Sequence, residues 1–228
     1  MKQKKEIIKY LIKKRKINSQ KVNQYINQIN QIKIKNLTRT VIEERTTNFR
    51  EIDVFSRLIM DRIIFIGTEI NDNIANIIIA QLLFLESVEP NKEITIYINS
   101  PGGSIYPGLG IYDTMQHINP KISTICTGLA ASMGAILLAG GSKNKRYALP
   151  HSRIMIHQPW GGIQGKSSDM EIKIKEMIEI KKDLYQILSN HTGKKYSEIE
   201  KDSNNDFWMK SKEAKKYGII DNILIKNK

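Results

Sequence analysis

Three residues of this chain are candidates by type for a nucleophile, a base and an orienting acid: Ser132, His157 and Asp206. Ser132 follows a run of small residues (Thr127, Gly128, Ala130, Ala131) and precedes an apolar stretch closed by Gly140-Gly141. Upstream, Ile122 to Cys126 reads as a buried strand, so the local expectation is a strand, a tight turn, and a helix beginning at or near Ser132. A serine there sits at the positive end of the helix dipole, among amide N–H groups that have no intrahelical partner. Those amides can hold the oxygen of a carbonyl as it turns tetrahedral, which is what acyl transfer requires. The same position is also where serine most often acts as an N-cap, so the local sequence leaves both roles open.

Serine is a nucleophile at neutral pH only beside a base, and the base needs an acid to orient it. Of the four histidines, His117 and His191 are expected near helix ends in solvent, and His151 in a turn behind Pro150. His157 ends an apolar strand, and Gln158-Pro159 then forces an extended exit. A satisfied core histidine is the alternative for it. Asp206 enters an extended segment beside Phe207 and Trp208, whose burial is expected to shield it. Its alternative is an Asx-turn within Ser203-Asn204-Asn205. The lone cysteine, Cys126, excludes an intrachain disulfide and, inside an apolar strand, reads as inert core.

The elements that must position these groups alternate. Asp53 is placed to cap a short helix through Met60. Strand Ile63–Ile66 precedes a helix capped by Asn71 or Asp72 and stopped by Pro90. Strand Ile94–Ile98 leads through a glycine turn to a helix ending near His117. After the Ser132 unit come strands Arg146–Leu149 and Ile154–His157. A long helix opens with a capping box of Ser168 and Glu171 and ends at Gly193, with an apolar stripe at positions 170, 174, 177, 178, 184, 187 and 188. A short helix near Ser197–Lys201, an extended Asn204–Met209, a helix Ser211–Tyr217 and a strand Ile219–Leu224 complete the chain. This rhythm implies an α/β fold with a mainly parallel sheet, whose chemistry sits at the carboxyl ends of the strands. Gly103, Ser132 and His157 all fall at such ends.

The formal charge is +13 over 228 residues, but residues 1–35 hold ten Lys and one Arg against Glu6, leaving +3 on the remainder. The basicity therefore belongs to a tail, residues 1–38, read as a pro-segment or solvated arm. With only Tyr10 and Tyr25 interleaved it is a poor nucleic-acid module, and no apolar run reaches the ~20 residues of a membrane span. Neither nucleic acid nor membrane is expected as a partner.

Several segments together resemble the Clp family of proteolytic subunits, which are serine peptidases: YINSPGGSIYPGLGIYDTMQ, ISTICTGLAASMGAILLAGG, KRYALPHSRIMIHQPWGG and DFWMKSKEAKKYGIID. The resemblance covers roughly Val41 to Leu224. It implies a crotonase-like fold of repeated β-β-α units for residues 53–228, with residues 168–192 as a projecting helix and 39–52 as an axial-pore loop. Ser132 in ASMGA falls on the family's nucleophile, His157 in MIHQP on its base, and Asp206 on its acid. Gly103 and Met133 fall on the oxyanion-hole amides. Gly161, Gly162 and Ile163 fall on the strand that pairs with substrate backbone, and Tyr97, Ile125, Tyr147 and Leu149 on the pockets where a partner docks.

What the family further implies is an endopeptidase of unfolded proteins, assembled as two stacked heptameric rings and fed by an AAA+ unfoldase such as ClpX or ClpA. The unfoldase uses the ATP. No cofactor or metal is expected in this chain, and a bacterial cytoplasm is the expected setting. One departure stands out: where the family has an Asp-Arg pair before the catalytic acid, this sequence has Asn204-Asn205. The rival readings are a non-catalytic ring subunit and a crotonase-type acyl-CoA enzyme.

Overall fold

The computed structural model describes residues 40–44, 49–161 and 164–226. The basic tail, Gly162 and Ile163 lie outside them. Within the segment expected as an axial-pore loop, two strands pair. Strand β1 (Thr40–Glu44) pairs antiparallel with β2 (Phe49–Asp53), in register from Thr40↔Asp53 to Glu44↔Phe49. It belongs to a unit separate from the body, which starts at Phe55.

Helix α1 (Val54–Met60) starts directly after Asp53, where a cap was expected. The body's sheet runs in the order β3 (Ile63–Ile66), β4 (Ile94–Ser100), β5 (Ile122–Ala131), β6 (Arg146–Ala148), β9 (Asn222–Ile223), and all four of these pairings are parallel. Strand β7 (Arg153–Ile156) pairs parallel with β5, and β8 (Phe207–Lys210) antiparallel with β7. The helices joining the parallel strands are α2 (Asp72–Val88), α3 (Ile105–His117) and α4 (Met133–Ala139). Asn71 is the cap of α2: its side-chain oxygen accepts from the Ile74 N–H at 3.0 Å, and the helix ends before Glu89-Pro90.

Isoleucines make the core. Ile64, Ile66, Ile96 and Ile98 point to one face of the sheet and are essentially inaccessible. Every residue of α4 is buried, which suits a helix apolar on all sides, and each large side chain so buried stabilises by about 1.5–3 kcal/mol.

Some expected boundaries move. Strand β5 does not turn after Cys126 but continues through Gly128 and Ala130 to Ala131. The reason is that it has two partners on one side, β6 against Thr124–Cys126 and β7 against Leu129–Ala131. At the changeover, a side chain on Gly128 would meet that of Asn99. The last strand shrinks to two residues, because Ile219 and Ile220 are core residues of the turn behind helix α7 (Ser211–Tyr217).

The long helix α5 (Ser167–Thr192) ends as expected at Gly193, which is left-handed with φ 74°. The Ser168–Glu171 box does not form, because the cap lies two residues earlier, at Lys166, without a side-chain bond. Its apolar stripe divides in two. Ile180, Leu184, Tyr185 and Leu188 are buried, whereas Ile172, Ile174 and Ile178 on the earlier turns are exposed. Helix α6 (Tyr196–Asp202) then leads to Ser203 and the loop that carries Asp206.

Candidate active site

The three chemical residues are brought together by strand register. Ala131 lies opposite Met155, and the Ser132 N–H donates to the Met155 carbonyl at 2.9 Å, so the residue after β5 sits beside the residue after β7. Ile156 lies opposite Phe207 on the antiparallel side, which sets Asp206 beside His157. Pairing of β5, β7 and β8 thus converges side chains 25 and 49 residues apart.

Ser132 occupies the N-cap position of α4 but does not cap it, since its side chain makes no bond to the helix. Its hydroxyl lies 2.9 Å from Nε2 of His157 instead. The backbone explains the difference. At φ 54° and ψ −124°, Ser132 is one of three non-glycine residues with positive φ among those described. This conformation costs on the order of 1–3 kcal/mol and aims the side chain away from the helix it begins. Close packing holds it there: a side chain on Gly102 would strike the Ala131 carbonyl and Ser132 Cβ.

Nδ1 of His157 is 3.1 Å from Oδ1 of Asp206. An ionised carboxylate can only accept, so Nδ1 carries the proton and Nε2 is the acceptor for the Ser132 hydroxyl. The arrangement can remove the serine proton and stabilise the imidazolium that results. The expected shielding of Asp206 is not found: its side chain is 58% exposed, and Trp208 is likewise open to solvent. Phe207 packs on Tyr217 at 5.5 Å rather than over the carboxylate. The Asx-turn alternative fails for a different reason, since the carboxylate is engaged with the histidine.

The residues whose amides are expected to hold an oxyanion line the same cavity as Ser132. Met133 is the first residue of α4, so its N–H has no partner within the helix. Gly103 forms an isolated parallel bridge with Ile70, through Ile70 N–H to Gly102 O and Ser104 N–H to Ile70 O, both 2.8 Å. The N–H of Gly103 takes no part in that bridge. With φ 144°, the position suits only glycine.

A cavity of about 400 Å³ opens beside these groups. Gly103, Ser132, Met133 and His157 line one side, and Ile105, Ile136, Leu184 and Leu188 give it an apolar wall. Sequence reading placed Leu184 and Leu188 on a helix stripe without assigning them to the site; their spacing of four was the signal.

Other expected residues scatter. His117 is exposed, as anticipated, and His151, in its turn behind Pro150, is exposed as well. His191 is not solvated: it is half-buried, 2.8 Å from the Tyr112 hydroxyl, and burial together with the Arg146 charge holds its imidazole below the ordinary range. Cys126 is inaccessible, and burial pushes its thiol up, which fits the inert reading. Gly161 is exposed, and Gly162 and Ile163 lie outside the described residues. Tyr97, Ile125 and Tyr147 fall in one register row across β4, β5 and β6, on the face opposite the isoleucine core, with Leu149 just beyond β6 and partly exposed. Phe65 on β3 extends this row and was missed; it pairs with Tyr97 and has the alternating pattern of its strand as signal.

A sequence model of the Clp protease family matches residues 43–227. The ATP-dependent Clp protease proteolytic subunit of Porphyromonas gingivalis is 54% identical over 223 residues, covering 98% of this chain and 99% of that one. Its namesake in Bacteroides fragilis is 59% identical over 186 residues, 82% of this chain and 90% of the relative. Proteolytic subunit 1 of Salinibacter ruber is 55% identical over 188 residues, 82% of this chain and 81% of the relative. With a family match across the whole described body and identities far above chance, this chain is a peptidase that belongs to the Clp protease family.

Proposed function

We propose that this chain is the proteolytic subunit of an ATP-dependent machine and cleaves unfolded proteins to short peptides through Ser132, His157 and Asp206. The observation that carries this reading is the pair of contacts on the two sides of one imidazole, 2.9 Å to the serine oxygen and 3.1 Å to the carboxylate. His157 takes the proton of Ser132 as Oγ attacks the scissile carbonyl carbon. The carbonyl oxygen becomes an oxyanion facing the amides of Gly103 and Met133. His157 then passes the proton to the leaving amine, and a water hydrolyses the acyl-enzyme by the same relay. No metal or cofactor enters these steps.

Substrate backbone would align along the segment Gly161–Ile163, with an apolar side chain in the cavity walled by Ile105, Ile136, Leu184 and Leu188. The exposed first half of α5, with Ile172, Ile174 and Ile178, suits a contact between two heptameric rings. The row Tyr97–Ile125–Tyr147, with Leu149, suits an AAA+ unfoldase such as ClpX or ClpA, which would use the ATP. The paired strands β1 and β2 fall in the segment 39–52 that would act as the axial-pore loop, and the bacterial cytoplasm is the proposed setting. Among the described residues, no helix is long and apolar enough to cross a membrane.

Labelling with a fluorophosphonate probe, followed by peptide mapping, tests the nucleophile. Label is expected on Ser132 alone and absent from Ser132→Ala, whose peptide hydrolysis should fall by at least about 10³-fold. An assembled wild-type particle that takes no label, with or without an unfoldase, would instead be a structural ring subunit.

A further inference from the structure

The pairing of β7 with β8 is regular from Arg153↔Lys210 to Ile156↔Phe207, and then it breaks. Continued in register, Gln158 would face Asn205. Its N–H instead donates to the Ser203 carbonyl at 2.7 Å, two residues further along. The chain therefore bulges between Ser203 and Phe207, and Asp206 stands on the bulge. The side chain of Gln158 spans this irregularity: its Nε2 donates to the Asn204 carbonyl at 2.9 Å.

Both flanks of the bulge are fixed. Ser203 is fully buried and ends α6 with its N–H on the Ile199 carbonyl, the neighbouring Asp202 carboxylate accepts from the Tyr217 hydroxyl at 2.8 Å, and Phe207 is in the sheet. Asn204, Asn205 and Asp206 between them are exposed. Among the described residues, the Gln158 amide makes the one side-chain hydrogen bond to Asn204 or Asn205; besides it and the contact of Asp206 with His157, the loop has a long backbone bond from the Asn204 N–H to the Lys201 carbonyl at 3.4 Å.

We propose that Gln158 is a positioning residue of this peptidase, holding the loop of Asp206 against the base through its side-chain amide. Its place next to His157 is what makes this effective. One residue after the base, kept extended by Pro159, it ties the base's strand and the acid's loop at two points, so the distance between imidazole and carboxylate is set over a very short path. The inference rests on the triad reading given above.

The test is a double-mutant cycle on hydrolysis of a blocked dipeptide carrying a fluorogenic amide, with the full chain in each case. Gln158→Met keeps the length and the backbone bond but removes the donor. It is expected to lower kcat about tenfold with KM within about twofold, and to lower it less than about twofold further when Asp206 is already Asn. Gln158→Glu, which sets a carboxylate against the Asn204 carbonyl, should lose at least as much. Sedimentation and thermal unfolding of each variant read its assembly and fold separately. Equal losses in both backgrounds, a change confined to KM, or a folded Glu variant with wild-type kcat would overturn the proposal. If Ser132→Ala hydrolyses like wild type, the triad reading itself has failed; if Ser132→Ala is inactive while Gln158→Met is not impaired, only the role of Gln158 has.

Discussion

At the scale of single residues, the site depends on two backbone conformations that side chains resist. Ser132 tolerates its positive φ because β5, α4 and the glycine loop around Gly102 leave it no other course. Gly103 is more restrictive, since a Cβ there would run into the backbone of Ile70. Gly103→Ala is therefore expected to be doubly harmful. It should lower stability by about 2 kcal/mol, as the bridge to Ile70 opens. It should also cut kcat by about 10²–10³-fold as one oxyanion donor is displaced. Denaturant unfolding and peptide hydrolysis of the same preparation separate the two effects; unchanged kcat in a folded variant would remove Gly103 from the oxyanion hole.

At the scale of elements, the short edge pairing of β6 with β9 is reinforced by charge. The Arg146 guanidinium donates to Asp221 at 2.6 and 3.0 Å and to the His191 carbonyl at 2.8 Å, joining the sheet edge to the end of α5. Burial pushes the Asp221 carboxyl up, but the bonds and charge of Arg146 outweigh it and hold the group below its ordinary value. Because the folded pKa is depressed, the contribution is complete above the unfolded value of about 3.9 and is lost as pH falls through the folded one. Asp221→Asn should cost about 2–3 kcal/mol at neutral pH, and its unfolding free energy should fall less steeply than that of wild type below about pH 4. Urea titrations at a series of pH values check this. The register row on the opposite face of the sheet makes a different prediction. Tyr147→Ala should lower unfoldase-driven protein degradation by about tenfold or more while dipeptide hydrolysis stays within about twofold. Equal losses in both assays would place Tyr147 in the fold and not at a docking surface.

At the scale of the whole molecule, the proposed contact between rings makes a prediction of its own. The first half of α5 exposes Ile172, Ile174 and Ile178, and the positions before Asp206 hold Asn204 and Asn205 where the family resemblance implies an Asp-Arg pair. A contact without that pair is screened little by added salt. If two rings stack as proposed, sedimentation from about 0.05 to 0.5 M salt should therefore show that assembly unchanged, and steep dissociation over that range would refute an uncharged contact.

How much of this was legible beforehand follows from where each piece of information resides. The alternation of isoleucine-rich strands with capped helices is local, so the α/β class, the cap at Asn71 and the stop at Gly193 could be read directly. Residue type made Ser132, His157 and Asp206 candidates, but the choice of these three over the cap, core and turn readings rested on the resemblance of the motifs around them. Boundaries went astray where neighbours in space decide them. The strand β5 runs on through Ala131 because β7 pairs with its far end, and the start of α5 is set without the Ser168 box. The exposure of Asp206, the half-buried state of His191 and the bulge bridged by Gln158 were likewise beyond reach of the linear chain. What the amino-acid order alone decided was which groups are able to react. Tertiary structure decided that they meet, because the register of β5, β7 and β8 is settled by burying residues far apart in the chain, and a slip of one position would turn His157 to the other face.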